Sequence, residues 1–410
     1  MPPEFVARCR EQFPALRREQ NGQSIVYWDG PAGTQVPQSV ADAVSDYLLH
    51  HNANTHGAFA TSRETDALMD DAHAAVADLL GAGYSDLIAF GANMTSLTFA
   101  LSRALARTWR PGDEIIVSGL DHDANVSPWV LAAQDAGVSV KQIAVRLDDC
   151  TLDIEDLRSK LSSKTKLVAV GCASNAVGTI NPVAEITRLA HDAGALVFLD
   201  AVHYSPHALI DVTDWGCDFL ACSAYKFFGP HVGILYGQRM RMETLRPYKL
   251  RPAPESLPGR WMTGTQNFEG IAGVVAAIEY LSQVAGVGGS RRDQLKGTYA
   301  KIVAYEQTLS AKLLAGLETI DAVTVYGITD PQRLEERLPT FSIRHQALPP
   351  KQLAKYLSDR GVFAWHGNYY ALPLTEALGL EPEGAVRLGM VHYNTPDEID
   401  RVLAILRELE

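Results

Sequence analysis

The segment SAYKFFGP (residues 223–230) sets Lys226 among aromatic rings, directly after the apolar run DFLAC (218–222). An ammonium at such a position is expensive to desolvate. An amine held there has its pKa lowered, and a neutral amine condenses with a carbonyl to give a Schiff base. Other chemically able residues sit in the same setting, just after short apolar runs. ALVFLD (195–200) ends in Asp200, with His203 three residues on, and KLVAVGCASN (166–175) runs to Asn175. EIIVSGLDHDAN (114–125) leads to His122, and DLIAFGANMTS (86–96) turns through Gly91-Ala92-Asn93 into a helix starting near Thr95. A buried carboxylate at Asp200 can pair with a protonated ring nitrogen. The ring of His122 can stack on a planar ligand, and helix N-terminal N–H groups after Gly91 can receive a phosphate. Each residue alone also fits a plainer role, as a helix cap, a turn residue, a satisfied histidine or a surface lysine. Their shared position after apolar runs makes them a set.

The elements that must position this set are legible as alternation. Short apolar runs at 86–90, 114–119, 140–145, 166–171, 195–200, 218–223 and 233–237 read as strands. Amphipathic stretches separate several of them. The clearest is PVAEITRLAHDAG (182–194), opened by Pro182, closed by Gly194 and apolar at helical spacing. Near-continuous apolar strands alternating with helices predict a mainly parallel, seven-stranded α/β sheet covered on both faces. Ligands of such sheets bind beyond the carboxyl ends of the strands, where the set falls. Lysine, acid partner, phosphate cradle and stacking ring are the parts that pyridoxal 5'-phosphate requires. Beyond about residue 250 a Pro-rich loop, RPAPESLPGR, gives way to an α+β pattern. The expected organisation is an N-terminal segment (1–20) packing on the small domain, a large cofactor-binding domain (21–285) and a smaller C-terminal domain (286–410).

Bulk composition excludes other classes. A net charge of −12 with no basic run argues against nucleic-acid binding. No apolar stretch approaches the ~20 residues that span a bilayer, and the charged start lacks an apolar signal core. A cytoplasmic protein with no membrane partner is expected. Five scattered cysteines (Cys9, Cys150, Cys172, Cys217, Cys222), without a C-x-x-C pair, suggest neither a disulfide framework nor a zinc site. A dinucleotide site lacks its G-x-G-x-x-G after the first strand.

The chain resembles the class V aminotransferase group of fold-type I pyridoxal-phosphate enzymes, and within it the cysteine desulfurases and selenocysteine lyases. The resemblance runs from YWDGPAGTQVP (27–37) through DHDANVSPW (121–129), SNAVGTINP (174–182), LDAVHYSPH (199–207) and SAYKFFGP to TGTQN (263–267) and VRLGMVHYNT (386–395). It implies that Lys226 carries the cofactor as a Schiff base, Asp200 pairs with the pyridinium nitrogen and His122 stacks on the ring and moves protons. It further implies that Asn175 and His203 flank the ring oxygen, and that Asn93–Met94 and Ser223 hold the phosphate. Arg387 would bind the substrate α-carboxylate, for which a planar bidentate donor is suited. Thr265 would reach the phosphate of a neighbouring subunit, since the family forms homodimers with shared sites.

Five departures bear on the reaction. Asn93-Met94 stands where the family has a threonine pair, so backbone contacts carry more of the phosphate. Tyr225 replaces a histidine, His203 a glutamine, and His56 a substrate-loop arginine. The fifth is in AWHGNYYALPL (364–374), where Tyr370 occupies the position of the persulfide-forming cysteine. Lys226, Asp200 and His122 retain the core chemistry, but a tyrosine cannot carry a persulfide. The expected reaction is β-elimination of the C–S lyase type on an amino acid. Transamination or epimerisation, or a silent binding protein on the same fold, are the alternatives.

Overall fold

The computed structural model of the chain describes residues 3–410. Seven strands build the central sheet: β1 (Ile88–Gly91), β2 (Glu114–Ser118), β3 (Ser139–Ile143), β4 (Thr165–Gly171), β5 (Leu196–Asp200), β6 (Phe219–Ser223) and β7 (Gly233–Gly237). Their spatial order is β1-β7-β6-β5-β4-β2-β3. Strands β6, β5, β4, β2 and β3 pair in parallel, and β7 runs antiparallel to both β6 and β1. The mainly parallel α/β sheet expected from the alternation is therefore present.

The apolar runs have no polar face because both faces of the sheet are covered. Successive residues go to opposite sides. Val168, Val170, Val197, Leu199, Leu220 and Ile234 join one core, while Leu167, Ala169, Phe198, Phe219 and Leu235 join the other. Helix α1 (Met94–Ala106) places Leu97, Leu101 and Leu105 in the second of these. Helix α2 (Phe268–Gln283) places Ile271, Val274, Ile278 and Leu281 in the first.

A second, antiparallel sheet contains β8 (Val323–Tyr326), β9 (Thr340–His345), β10 (Trp365–Gly367) and β11 (Ala385–Gly389), ordered β8-β9-β11-β10. Its core is centred on Phe341, Ile343, Val386 and Leu388. The long helix α3 (Arg291–Leu317) serves both cores: Leu295, Tyr299 and Ile302 pack under the central sheet, and Tyr305, Leu309 and Leu313 under the second. Of the N-terminal segment, residues 1 and 2 lie outside the described residues. Val6 joins the second core, Phe13 the first, and Arg10 pairs with Glu398 at 2.8 Å. Among the described residues no helix is long and apolar enough to cross a membrane.

Candidate active site

Beyond the carboxyl ends of β1, β4, β5 and β6 lies a cavity lined by residues from all four strand ends. Every cofactor-binding residue expected from the sequence lines it except Thr265. Lys226 follows β6 in a short 3₁₀ turn (Ala224–Lys226), and the chain then takes a positive φ of 69° at Phe228. Phe227 and Phe228 are fully buried and anchor the turn from behind. The amine itself is buried, donates to the carbonyl of Pro31 and lies 4.9 Å from the Tyr225 ring centre. Burial, and then the nearby Arg387 cation, lower its pKa to about 7, against the opposing pull of Asp200 and Asp29. A lysine on this turn is thus about half neutral at pH 7, the form that attacks a carbonyl.

Asp200 ends β5, and its Oδ1 accepts the Val202 N–H at 2.8 Å. Burial raises its pKa to about 6, and that N–H and Lys226 oppose the rise. A carboxylate so desolvated gains from a cationic ring nitrogen beside it. His122 accepts the Ala124 N–H on Nδ1 at 3.0 Å. Burial first, then Lys226 and Arg387, lower its pKa to about 4, so the imidazole is neutral at pH 7. Asn175 donates from Nδ2 to the Tyr369 carbonyl at 2.9 Å, while its buried Oδ1 has no partner. His203 lines the cavity, but its Nε2 is engaged with Thr340 Oγ1 on β9 at 3.0 Å.

At the N-terminus of α1, Asn93 caps the helix by accepting the Ser96 N–H at 2.9 Å. Ser223 Oγ accepts the Met94 N–H at 2.9 Å. The asparagine side chain is therefore turned onto its own helix, and Met94 and Thr95 line the cavity. This close approach requires glycine at 233, where a Cβ would stand 2.4 Å from the Asn93 backbone. The unpartnered Asn175 Oδ1, with Lys226, Asp200 and the N-terminus of α1 lining one cavity, fits pyridoxal phosphate.

Arg387 and Tyr370 line an adjoining opening that shares His122, Asn175, Tyr225 and Lys226 with the first cavity. Arg387 sits on β11, buried, with Nη1 donating to the Asn175 carbonyl at 2.9 Å and its guanidinium 4.5 Å from the Tyr369 ring centre. Burial lowers its pKa to about 10, and it stays cationic at pH 7. His56 and Thr265 are not brought to Lys226. They line a separate cavity between the 54–73 region and the 254–268 segment.

All five cysteines are free and buried, and none lines either opening around Lys226. Burial pushes every one of their thiols up, Cys9 and Cys150 to about 11. No thiolate is on hand to attack a substrate sulfur.

Two carboxylates were missed in the sequence. Asp29 is raised to about 6 by burial, with its own backbone and then Arg387 and Lys226 opposing. Its signal was present in YWDGPAG, an acid between an aromatic pair and a Gly-Pro turn. Asp121, raised by burial to about 7, takes the Gly171 N–H and the Asn125 amide, each at 2.8 Å, and so fixes the backbone from which His122 projects.

With this geometry in hand, relatives are informative. The aminotransferase class-V family model matches residues 26–402. An aminotransferase-like protein of Gibberella zeae is 32% identical over 98% of this chain and 97% of its own length. A cysteine desulfurase of Dickeya dadantii is 31% identical over 98% of this chain and 96% of its own. Among solved structures, a cysteine desulfurase from Thermococcus onnurineus superposes with a TM-score of 0.88 at 27% identity, covering 99% of this chain and 98% of that one. A family model covering nearly the whole chain, and relatives above 30% identity at full length, lead to one statement: the chain belongs to the aminotransferase class-V family of pyridoxal-phosphate enzymes.

Proposed function

We propose that this chain is a pyridoxal-phosphate-dependent lyase that eliminates a sulfur substituent from the β-carbon of an amino acid. One observation carries the reading: a buried lysine lines one cavity with Asp200 and His122, and no cysteine lines it. Lys226, Asp200, His122 and Asn175 would hold the cofactor, with Ser223 and the backbone at Met94 and Thr95 around its phosphate. When bound, the cofactor supplies an electron sink that makes the substrate Cα–H acidic. Arg387 holds the α-carboxylate and sets the orientation of Cα. Lys226 Nζ, with a pKa near neutrality, would take the Cα proton. The buried walls exclude water from that transfer.

His56 and Thr265 support a homodimer with shared sites, since they line a cavity other than that of their own chain's Lys226. Five free thiols and no disulfide fit the cytoplasm. The test is product analysis with a cysteine thioether: elimination yields pyruvate, ammonia and a thiol in equal amounts. Alanine and a protein-bound persulfide from cysteine would instead assign true desulfuration, and a 2-oxo acid retaining its sulfur would assign transamination.

A further inference from the structure

The opening outside Lys226, about 920 Å³, is walled by rings. Trp365 and His366 come from β10, Tyr369 and Tyr370 from the loop after it, and His122 and Tyr225 from the ends of the central sheet. Trp365 is 54% exposed and Tyr370 70% exposed. Exposed aromatics clustered around a polar centre mark a binding surface.

The tyrosine rings are held in place. Tyr369 and Tyr370 both have positive φ, 54° and 60°, a conformation bulky residues rarely adopt and which the surroundings must enforce. The enforcing contacts are local. Asn175 Nδ2 and the Asp123 N–H bond the two tyrosine carbonyls at 2.9 and 2.7 Å, and Asn368 Oδ1 accepts the Tyr370 N–H at 3.1 Å. The Tyr369 hydroxyl donates to the Ala385 carbonyl. The outcome is a Tyr370 ring stacked on His122 at 5.3 Å and 25°, while Tyr369 lies against Arg387.

The charge of the walls narrows the ligand further. Their cations are Lys226 and Arg387, and no Asp or Glu is among them. In the elimination reading both cations are used, one by the cofactor and one by the carboxylate. A charged substrate side chain would find no counter-ion, and a short aliphatic one would leave the ring faces unmatched.

We propose that the substrate carries a flat aromatic group on its side-chain sulfur, an S-aryl cysteine, and that Trp365 and Tyr370 are its specificity residues. This rests on the elimination reading above. The Cα–H and Cβ–S bonds break, the Cα–H electron pair becomes the Cα=Cβ bond, and sulfur leaves with the Cβ–S pair and takes up a proton as the aryl thiol. Water hydrolyses the resulting enamine to pyruvate and ammonium. No oxidant or reductant is consumed. An aryl thiolate is the weaker base and leaves faster, which suits an opening without a carboxylic acid.

The holoenzyme is assayed with S-phenyl-, S-methyl- and S-carboxymethylcysteine, following thiol and pyruvate. The expected kcat/KM is roughly tenfold higher for the phenyl than for the methyl compound, as stacking on two rings would give. The carboxymethyl compound should be the poorest. In Trp365→Ala and Tyr370→Ala the phenyl-to-methyl ratio should fall toward one. Equal ratios in the wild-type enzyme, with pyruvate formed, overturn the aromatic assignment and leave elimination standing. Absence of pyruvate from all three overturns elimination. The assignment is then decided by binding alone, from tryptophan fluorescence quenching in cofactor-loaded Lys226→Ala protein. Tighter binding of the phenyl compound supports the assignment, and indistinguishable affinities overturn it.

Discussion

At the scale of the residue, Lys226 is deeply buried, and that burial brings its pKa down to about 7. The sign of its pH dependence follows. In the cofactor-free protein the amine is protonated below pH 7 and neutral above. The rate of cofactor capture should therefore rise with pH up to about 7 and then level. Well below the midpoint it should fall about tenfold per pH unit, read from the growth of visible absorbance after mixing. A midpoint near 10 would mean that the amine is not desolvated. Lys226→Ala should abolish the absorbance of the lysine-linked cofactor, and a retained band would sink the assignment of this lysine. Lys226, Asp200 and His122 were legible because each follows an apolar run whose end, in a parallel sheet, is a ligand site. Asp29 was overlooked, because its burial and its nearness to Arg387 and Lys226, far from it in sequence, exist only in the folded chain. The engagement of His203 with Thr340 was equally invisible, since it depends on where the second sheet docks.

At the scale of the element, the N-terminus of α1 is the delicate part of the site. It is shaped by one cap, one serine and one glycine, on three different elements. Gly233→Ala would force the Asn93 backbone away. A displacement of this kind should weaken cofactor affinity on the order of tenfold or more, measured by fluorescence titration of the cofactor-free enzyme. Asn93→Ala removes only the cap and should cost about 1 kcal/mol in urea unfolding. A loss of cofactor affinity for Asn93→Ala as large as for Gly233→Ala would mean that the side chain, not the backbone, serves the phosphate. Most of the strands were readable in the sequence because their apolar runs are unbroken, the edge strand β3, SVKQI, being the polar exception. The single reversed strand β7 was not, because GILYG has the same texture whichever way it runs.

At the scale of the whole molecule, α3 ties the two cores together. Glu306 on this helix meets His207 at 2.8 Å, both buried, with the second glutamate oxygen unpartnered. Removing the acid strands the histidine, so Glu306→Ala should destabilise the protein by about 3 kcal/mol, seen as a lower urea midpoint. Because Thr265 and its own Lys226 line different cavities, a subunit-mixing test is available. Lys226→Ala and Thr265→Ala chains, each impaired alone, should regain part of the wild-type activity when mixed, because one site of the hybrid then has both residues. No recovery would mean that sites are not shared. The pairing of β1 with β7 has a consequence for how the protein comes into being. Met94 and Ser223, which meet at the phosphate cradle, are 129 residues apart in the chain. A contact of that separation forms late, after the loop-closure entropy of everything between has been met. During synthesis the cradle cannot exist until β7 has emerged and slotted between β6 and β1. Cofactor capture thus reports on a finished sheet, and a chain truncated before residue 233 should remain colourless however much of it has collapsed.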